Sequence, residues 1–152
     1  IWNFIRAVVL GYVACWAATK AMGILMSYLL PGFSNINDAS ISAMAKTNYT
    51  LMLIGVVFLV PLAEEMLYRG LIFRNLWQSS KAAAYLLSMA AFAAVHVLGY
   101  VGSEDITTLL ICFLQYLPAG LCLAWTYTKA DNIFAPTLVH AIVNAMAIGA
   151  LR

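Results

Sequence analysis

Long apolar runs alternate with short polar breaks along this chain. The first run, from about Ile5 to Leu30, is interrupted by Lys20 and Gly23 and stops at Pro31-Gly32. It predicts a membrane helix followed by a breaker. Residues 31–48 form the one polar connection, with Ser34, Asn35, Asn37, Asp38, Ser40 and Ser42, and an interfacial stretch is expected there. From Tyr49 the chain is apolar to Ala63 and then reads Glu64-Glu65-Met66-Leu67-Tyr68-Arg69-Gly70 before Leu71-Ile72-Phe73. One long helix to about Trp77 is predicted, with a bend at Pro61. Ser79-Ser80-Lys81 is a turn, and Ala82 to Tyr100 a third span whose alanines allow close helix approach. Gly102 to Asp105 is a second turn and Ile106 to Thr128 a fourth span. Lys129 to Asn132 turns again, and Ile133 to Leu151 is the last span, with Pro136 in the first turn, where proline is tolerated.

Composition fixes the solvent these helices need. The 152 residues are 64% hydrophobic and only 9% charged, against about a quarter charged in a soluble domain. Too little charge is available to cover a water-facing surface, so the expected solvent is lipid. The fold class is therefore all-α: a polytopic membrane helix bundle with about five transmembrane helices. Residues 1–152 read as a single transmembrane domain, with a motif-bearing core at about 49–150 and a first span and polar loop at 1–48. The chain begins with Ile1, which suggests a start inside a longer protein. A net charge of +2 without a Lys/Arg cluster argues against nucleic acid as partner, and no nucleotide-binding glycine loop is present. Cys15, Cys112 and Cys122 sit isolated in apolar runs and read as packing residues, as do the methionines, and the tryptophans read as interface belts or packing. If the spans alternate, Arg6, Arg74, Lys81 and Lys129 fall on one side, with Lys46 and Arg152 on the other. The positive-inside rule then puts the 74–81 and 129–132 turns in the cytoplasm.

Against this background a few side chains are out of place. An Asp, Lys or Arg at mid-membrane costs about 2.5–3.5 kcal/mol, so such residues are rare and usually functional. Glu64, Glu65 and Arg69 share one predicted span. The only two histidines, His96 and His140, lie in others, and Asn144 follows His140 by one helical turn. Glu64 lies 16 residues before Ser80 and His96 16 after it. If Ser80 tips a hairpin, the two sit at equal height. At a rise of ~1.5 Å per residue, Asn144 and His140 lie ~20 and ~14 Å beyond the Asp131 turn, against ~20 Å for Glu64 from its helix end. All four could meet in one layer.

Each feature also has a plainer reading. Glu65 and Arg69, spaced i, i+4 with the acid first, form a favourable helix ion pair, read here as structural. Glu64 could be a hydrogen-bonded carboxyl, His96 a satisfied core histidine, and His140 with Asn144 helix glue. Two histidines at the depth of a glutamate weigh more together than apart. A carboxylate beside an imidazole in a water-poor site can hold and deprotonate one water. A second His with an Asn one turn away offers donors to an oxyanion. Peptide-bond hydrolysis is the natural chemistry. A Ser/His/Asp set is not favoured, because G-x-S-x-G is absent and no carboxylate is left to orient a histidine.

These residues resemble a known family. Glu64-Glu65-Met66-Leu67-Tyr68-Arg69 is similar to the E-E-x-x-x-R motif of the CAAX protease and bacteriocin-processing (CPBP, or Abi) membrane endopeptidases. Phe92 to His96 resembles their F-x-x-x-H and His140 to Asn144 their H-x-x-x-N, in family order over roughly Tyr49 to Ala150. The resemblance implies an intramembrane endopeptidase related to the type II CAAX prenyl endopeptidase, acting on a peptide or lipidated protein in contact with membrane lipid. It implies that Glu64 and His96 activate the water, that His140 and Asn144 hold the oxyanion, and that Glu65 and Arg69 support them. Such proteins are often described as metalloproteases, and a metal-free glutamate mechanism is also argued. The sequence admits both: no cofactor, or a divalent metal such as zinc on Glu64, His96 and His140 with one open position. No H-E-x-x-H is present, and His140 with Asn144 reads better as a donor pair, which favours the metal-free form.

The expected location is the multi-pass cell membrane of a bacterium, where a pheromone or bacteriocin precursor is a better substrate guess than a prenylated protein. The alternative is a non-catalytic bacteriocin self-immunity or membrane scaffold protein of the same fold. A proton- or cation-relaying transporter would need inverted repeats, and none is evident.

Overall fold

The computed structural model describes residues 1–150, so Leu151, the expected end of the last span, and Arg152, one of the loop charges, lie outside the described residues. Among those described, the regular structure is all helix, joined by short turns, apart from one isolated bridge between Val101 and Glu104. Helix α1 spans Trp2–Leu29 and α2 Ile36–Thr47. A continuous helical stretch, α3, runs Tyr49–Trp77, followed by α4 at Lys81–Leu98, α5 at Ile106–Ala130 and α6 at Phe134–Gly149. Four of these, α1, α3, α4 and α5, are long and apolar enough to cross a membrane. The fifth apolar helix, α6, has 16 residues, ~24 Å of rise against a hydrocarbon core of ~30 Å.

Local chemistry sets the ends. Asn35 caps α2, its Oδ1 accepting from the Asn37 and Asp38 amides at 3.0 and 3.3 Å. The expected interfacial stretch is thus an ordered helix. Its sequence signs were Asn35 as cap, Asp38 in the first turn and Lys46 in the last. Asn48 and Ser80 cap α3 and α4 in the same way. Asp105 caps α5. The Thr108 hydroxyl (2.6 Å) and amide (3.0 Å) hold its carboxyl below the ordinary carboxylate value. The ionised cap therefore persists as pH falls, until that lowered value is passed. Asp131 ends α5 in the left-handed region (φ 52°), which Asp tolerates better than most residues.

The expected bend at Pro61 takes the form of a wide turn. Residues Gly55–Leu59 are π-helical, and the Val60 amide bonds to the Gly55 carbonyl five residues back. A second π stretch, Met66–Phe73, follows the Glu64-Glu65 pair. Such turns occur often at functional sites.

The four long helices and α6 meet in one apolar cluster, to which each gives one buried residue: Cys15, Tyr68, Phe92, Leu123 and Val139. Close approach of α4 and α5 depends on Gly120, where a Cβ would lie 3.0 Å from the Met89 Cα and 3.1 Å from its carbonyl oxygen. Leu, Ile and Val side chains stay exposed along the outer faces of α1, α3 and α5, as expected where lipid is the solvent. The cysteines are free, with Cys15 and Cys112 buried, as the packing reading expects.

Gly120→Ala is expected to lose about 1–3 kcal/mol through overpacking against backbone. Gly23→Ala, with no atom within 4 Å of the added Cβ, should be neutral or gain up to about 1 kcal/mol. Thermal unfolding of the two variants in detergent provides the comparison.

Candidate active site

The polar centre is assembled around one buried carboxylate oxygen. Glu65 and Arg69 are both 0% exposed. Arg69 Nη1 donates to Glu65 Oε1 at 2.9 Å, and Nη2 donates to the Gly120 carbonyl at 2.7 Å. The guanidinium carbon lies 5.1 Å from the Phe92 ring centroid, within cation–π range. The expected i, i+4 pair is therefore present, but it does not exhaust the carboxylate. His140 Nδ1 lies 3.1 Å from the same Glu65 Oε1. This corrects the reading that no carboxylate remains to orient a histidine. One oxygen has room for two donors, and helix packing brings the second from α6.

The tautomers follow from the partners. A carboxylate that accepts from Arg69 is ionised and can only accept, so His140 Nδ1 carries the proton. Its Nε2 faces Glu64 Oε2 at 4.0 Å. Glu64 Oε2 is itself buried and has no hydrogen-bond partner in the protein. His96 Nδ1 lies 2.8 Å from the Phe92 carbonyl, another pure acceptor, which leaves Nε2 as the nitrogen free for other partners.

Asn144 is held by the π turn. The Val56 carbonyl would pair with the Val60 amide in an α-helix, but that amide bonds to Gly55. In a π-helix its partner would be residue 61, a proline without N–H. Asn144 Nδ2 fills the vacancy, donating to the Val56 carbonyl at 2.8 Å. One amide proton of Asn144 remains.

Glu64, His96, His140 and Asn144 all line one cleft of about 500 Å³. Glu65 and Arg69 lie behind it. The remaining wall is largely apolar, with Met44, Met52, Val56, Val60 and Ile148, and α2 contributes Asn37 and Asp38. Sequence reasoning passed over Tyr116 of α5, which also lines the cleft and stacks on His96 with ring centroids 4.1 Å apart. The available signal was the polar Gln115-Tyr116 pair inside an apolar span.

The zinc set of Glu64, His96 and His140 offers suitable lone pairs. As placed, however, no three His, Cys, Asp or Glu side chains among the described residues stand close enough to share an ion.

The profile of the type II CAAX prenyl endopeptidase Rce1-like family matches residues 46–146. The chain belongs to that family. The match contains Glu64, Glu65, Arg69, His96, Tyr116, His140 and Asn144, but not Asn37 and Asp38 of α2. UPF0177 protein YxdF of Lactococcus lactis subsp. lactis (strain IL1403) is 32% identical over 94 residues, covering 62% of this chain and 46% of that protein. The chain thus spans just under half the length of this curated relative. No solved structure matches. With its several long apolar helices, this Rce1-like chain is an integral, multi-pass membrane protein.

Substitutions at two points probe the polar centre. Arg69→Met strands an ionised Glu65 and should cost about 3–5 kcal/mol, while Glu65→Leu combined with Arg69→Met should recover most of that stability. Asn144→Asp replaces the donor on the Val56 carbonyl with an acceptor and should cost about 1–3 kcal/mol. Denaturation in detergent, followed by the loss of helical circular dichroism, measures both.

Proposed function

We propose that this protein is an intramembrane endopeptidase that hydrolyses a peptide bond in a peptide or lipidated protein presented at the membrane. The observation that carries this is the opposition of Glu64 Oε2 and His140 Nε2 across 4.0 Å of cleft, with Glu65 and Arg69 fixing the histidine from behind. Family membership supports the same reaction class, and the apolar wall suits a substrate with apolar or lipid-linked groups.

A water in that gap donates one hydrogen to Glu64 and the other to His140, leaving an oxygen lone pair for the scissile carbonyl carbon. Glu64 takes a proton as the C–O bond forms. The carbonyl oxygen becomes an oxyanion, and the free amide proton of Asn144 is the donor available to it. Glu64 then returns its proton to the leaving nitrogen as the C–N bond breaks, giving a carboxylic acid and an amine, and the acid's remaining proton passes to the amine to leave carboxylate and ammonium. The donor pattern supports a different division of labour from the one the resemblance implies. His140 works with Glu64 on the water, Asn144 serves the oxyanion, and His96, on the same cleft with Nε2 unengaged, orients the substrate by accepting from its scissile N–H. Both imidazoles donate from Nε2 only once charged.

Because the substrate is not specified by this chemistry, the test must not presume one. Membranes from cells expressing the wild-type protein or Glu64→Gln are compared by mass-spectrometric profiling of protein N-termini. A defined set of new N-termini should appear with the wild type and fall by about 10²–10⁴-fold with Glu64→Gln, and with His140→Gln likewise. Identical profiles at equal protein levels would reject the peptidase and favour the immunity or scaffold role.

A further inference from the structure

We propose that Tyr116 is the positioning residue of His96, holding the imidazole in one orientation and coupling it to the docked helix α2; this rests on the peptidase reading above. The Tyr116 and His96 rings are nearly parallel, 23° apart at 4.1 Å between centroids. Phe92 packs against the same imidazole, with centroids at 4.8 Å, and its carbonyl engages Nδ1. The imidazole is therefore in contact with two aromatic rings and pinned at one nitrogen. A half-turn about its χ2 would put Cδ2 in place of Nδ1 and Cε1 in place of Nε2, losing the Phe92 contact, and the stacked phenol opposes that rotation.

The phenol is itself anchored. Its hydroxyl accepts from Asn37 Nδ2 at 3.0 Å and donates to Asp38 Oδ1 at 2.7 Å. Next to it, Asn35 Nδ2 donates to Gln115 Oε1 at 2.6 Å. The start of α2 is thus tied to α5 beside the ring that holds His96. A buried Tyr normally finds a partner for its hydroxyl; here the partners sit on the helix that forms one wall of the cleft. Tyr116 acts through His96 and takes no proton in the reaction.

Because the chain has two histidines, a ¹³C,¹⁵N-histidine spectrum of the full chain in nanodiscs contains two ring systems, assigned with His96→Gln. Tyr116→Leu is expected to move the His96 ring resonances downfield and leave those of His140 in place. Its kcat on the most strongly Glu64-dependent peptide from the N-terminal profiling should fall about 10²-fold, the scale of a small misplacement, with KM unchanged. Tyr116→Phe keeps the ring and should retain both the His96 resonances and most of the rate. Unmoved His96 resonances in Tyr116→Leu, joint movement of both histidines, or an unchanged kcat would overturn the proposal. If Tyr116→Leu fails to fold, displaced His96 resonances in Tyr116→Phe would overturn it, because the ring alone should hold the imidazole. Absence of Glu64-dependent cleavage in the wild type would defeat the peptidase reading alone, since the resonances still report on Tyr116.

Discussion

The Glu65 carboxylate, sunk in the centre of a bundle whose outer faces are apolar, organises the structure around it. Removing an ionised carboxylate and a guanidinium from water costs several kcal/mol each, and their mutual attraction offsets that only with good geometry and further hydrogen bonds. Here the offset is drawn from several helices. Arg69 lies one turn along α3, the Gly120 carbonyl comes from α5, His140 from α6, and the Phe92 face from α4. Each partner fixes a helix, so the charge that is expensive to bury also aligns the walls of the cleft. The same oxygen that neutralises Arg69 sets the tautomer of His140, which joins the packing problem to the chemistry.

A second constraint comes from the backbone. In lipid, a carbonyl released from the helix ladder must find another donor within the protein. The wide turn before Pro61 releases Val56, and Asn144 is drawn in to satisfy it. The Tyr68 carbonyl, within the second π stretch, accepts from the buried Ser88 hydroxyl at 3.0 Å. Polar side chains in this bundle therefore do not merely decorate it. They complete the hydrogen bonding of α3 on two sides, and one of them, Asn144, has a proton left over for other work.

Much of this was legible beforehand. The helices, their turns and the lipid-facing composition follow from unbroken apolar runs and capping residues that act locally. The convergence of Glu64, His96, His140 and Asn144 on one cleft agrees with heights counted along the helices, because axial rise depends only on residue number. The role of Glu65 was half legible. Its spacing to Arg69 announced an ion pair, but the bond to His140 spans 75 positions and has no periodic signature. Tyr116 was passed over for the same reason, since its importance lies in a ring 20 positions away and in a helix still more distant.

What the sequence determined by itself is axial: which apolar segments are helical, about how long they are, and at what depth each ionisable group sits. What only the tertiary structure decided is azimuthal and pairwise: which face each helix turns inward, which nitrogen of each histidine is engaged, and that α2 is tied across the cleft through Tyr116. The physical reason is that rise per residue is a property of one helix. Rotation about its axis is set by the partners it buries, through contacts such as Gly120 against Met89 and Glu65 against His140.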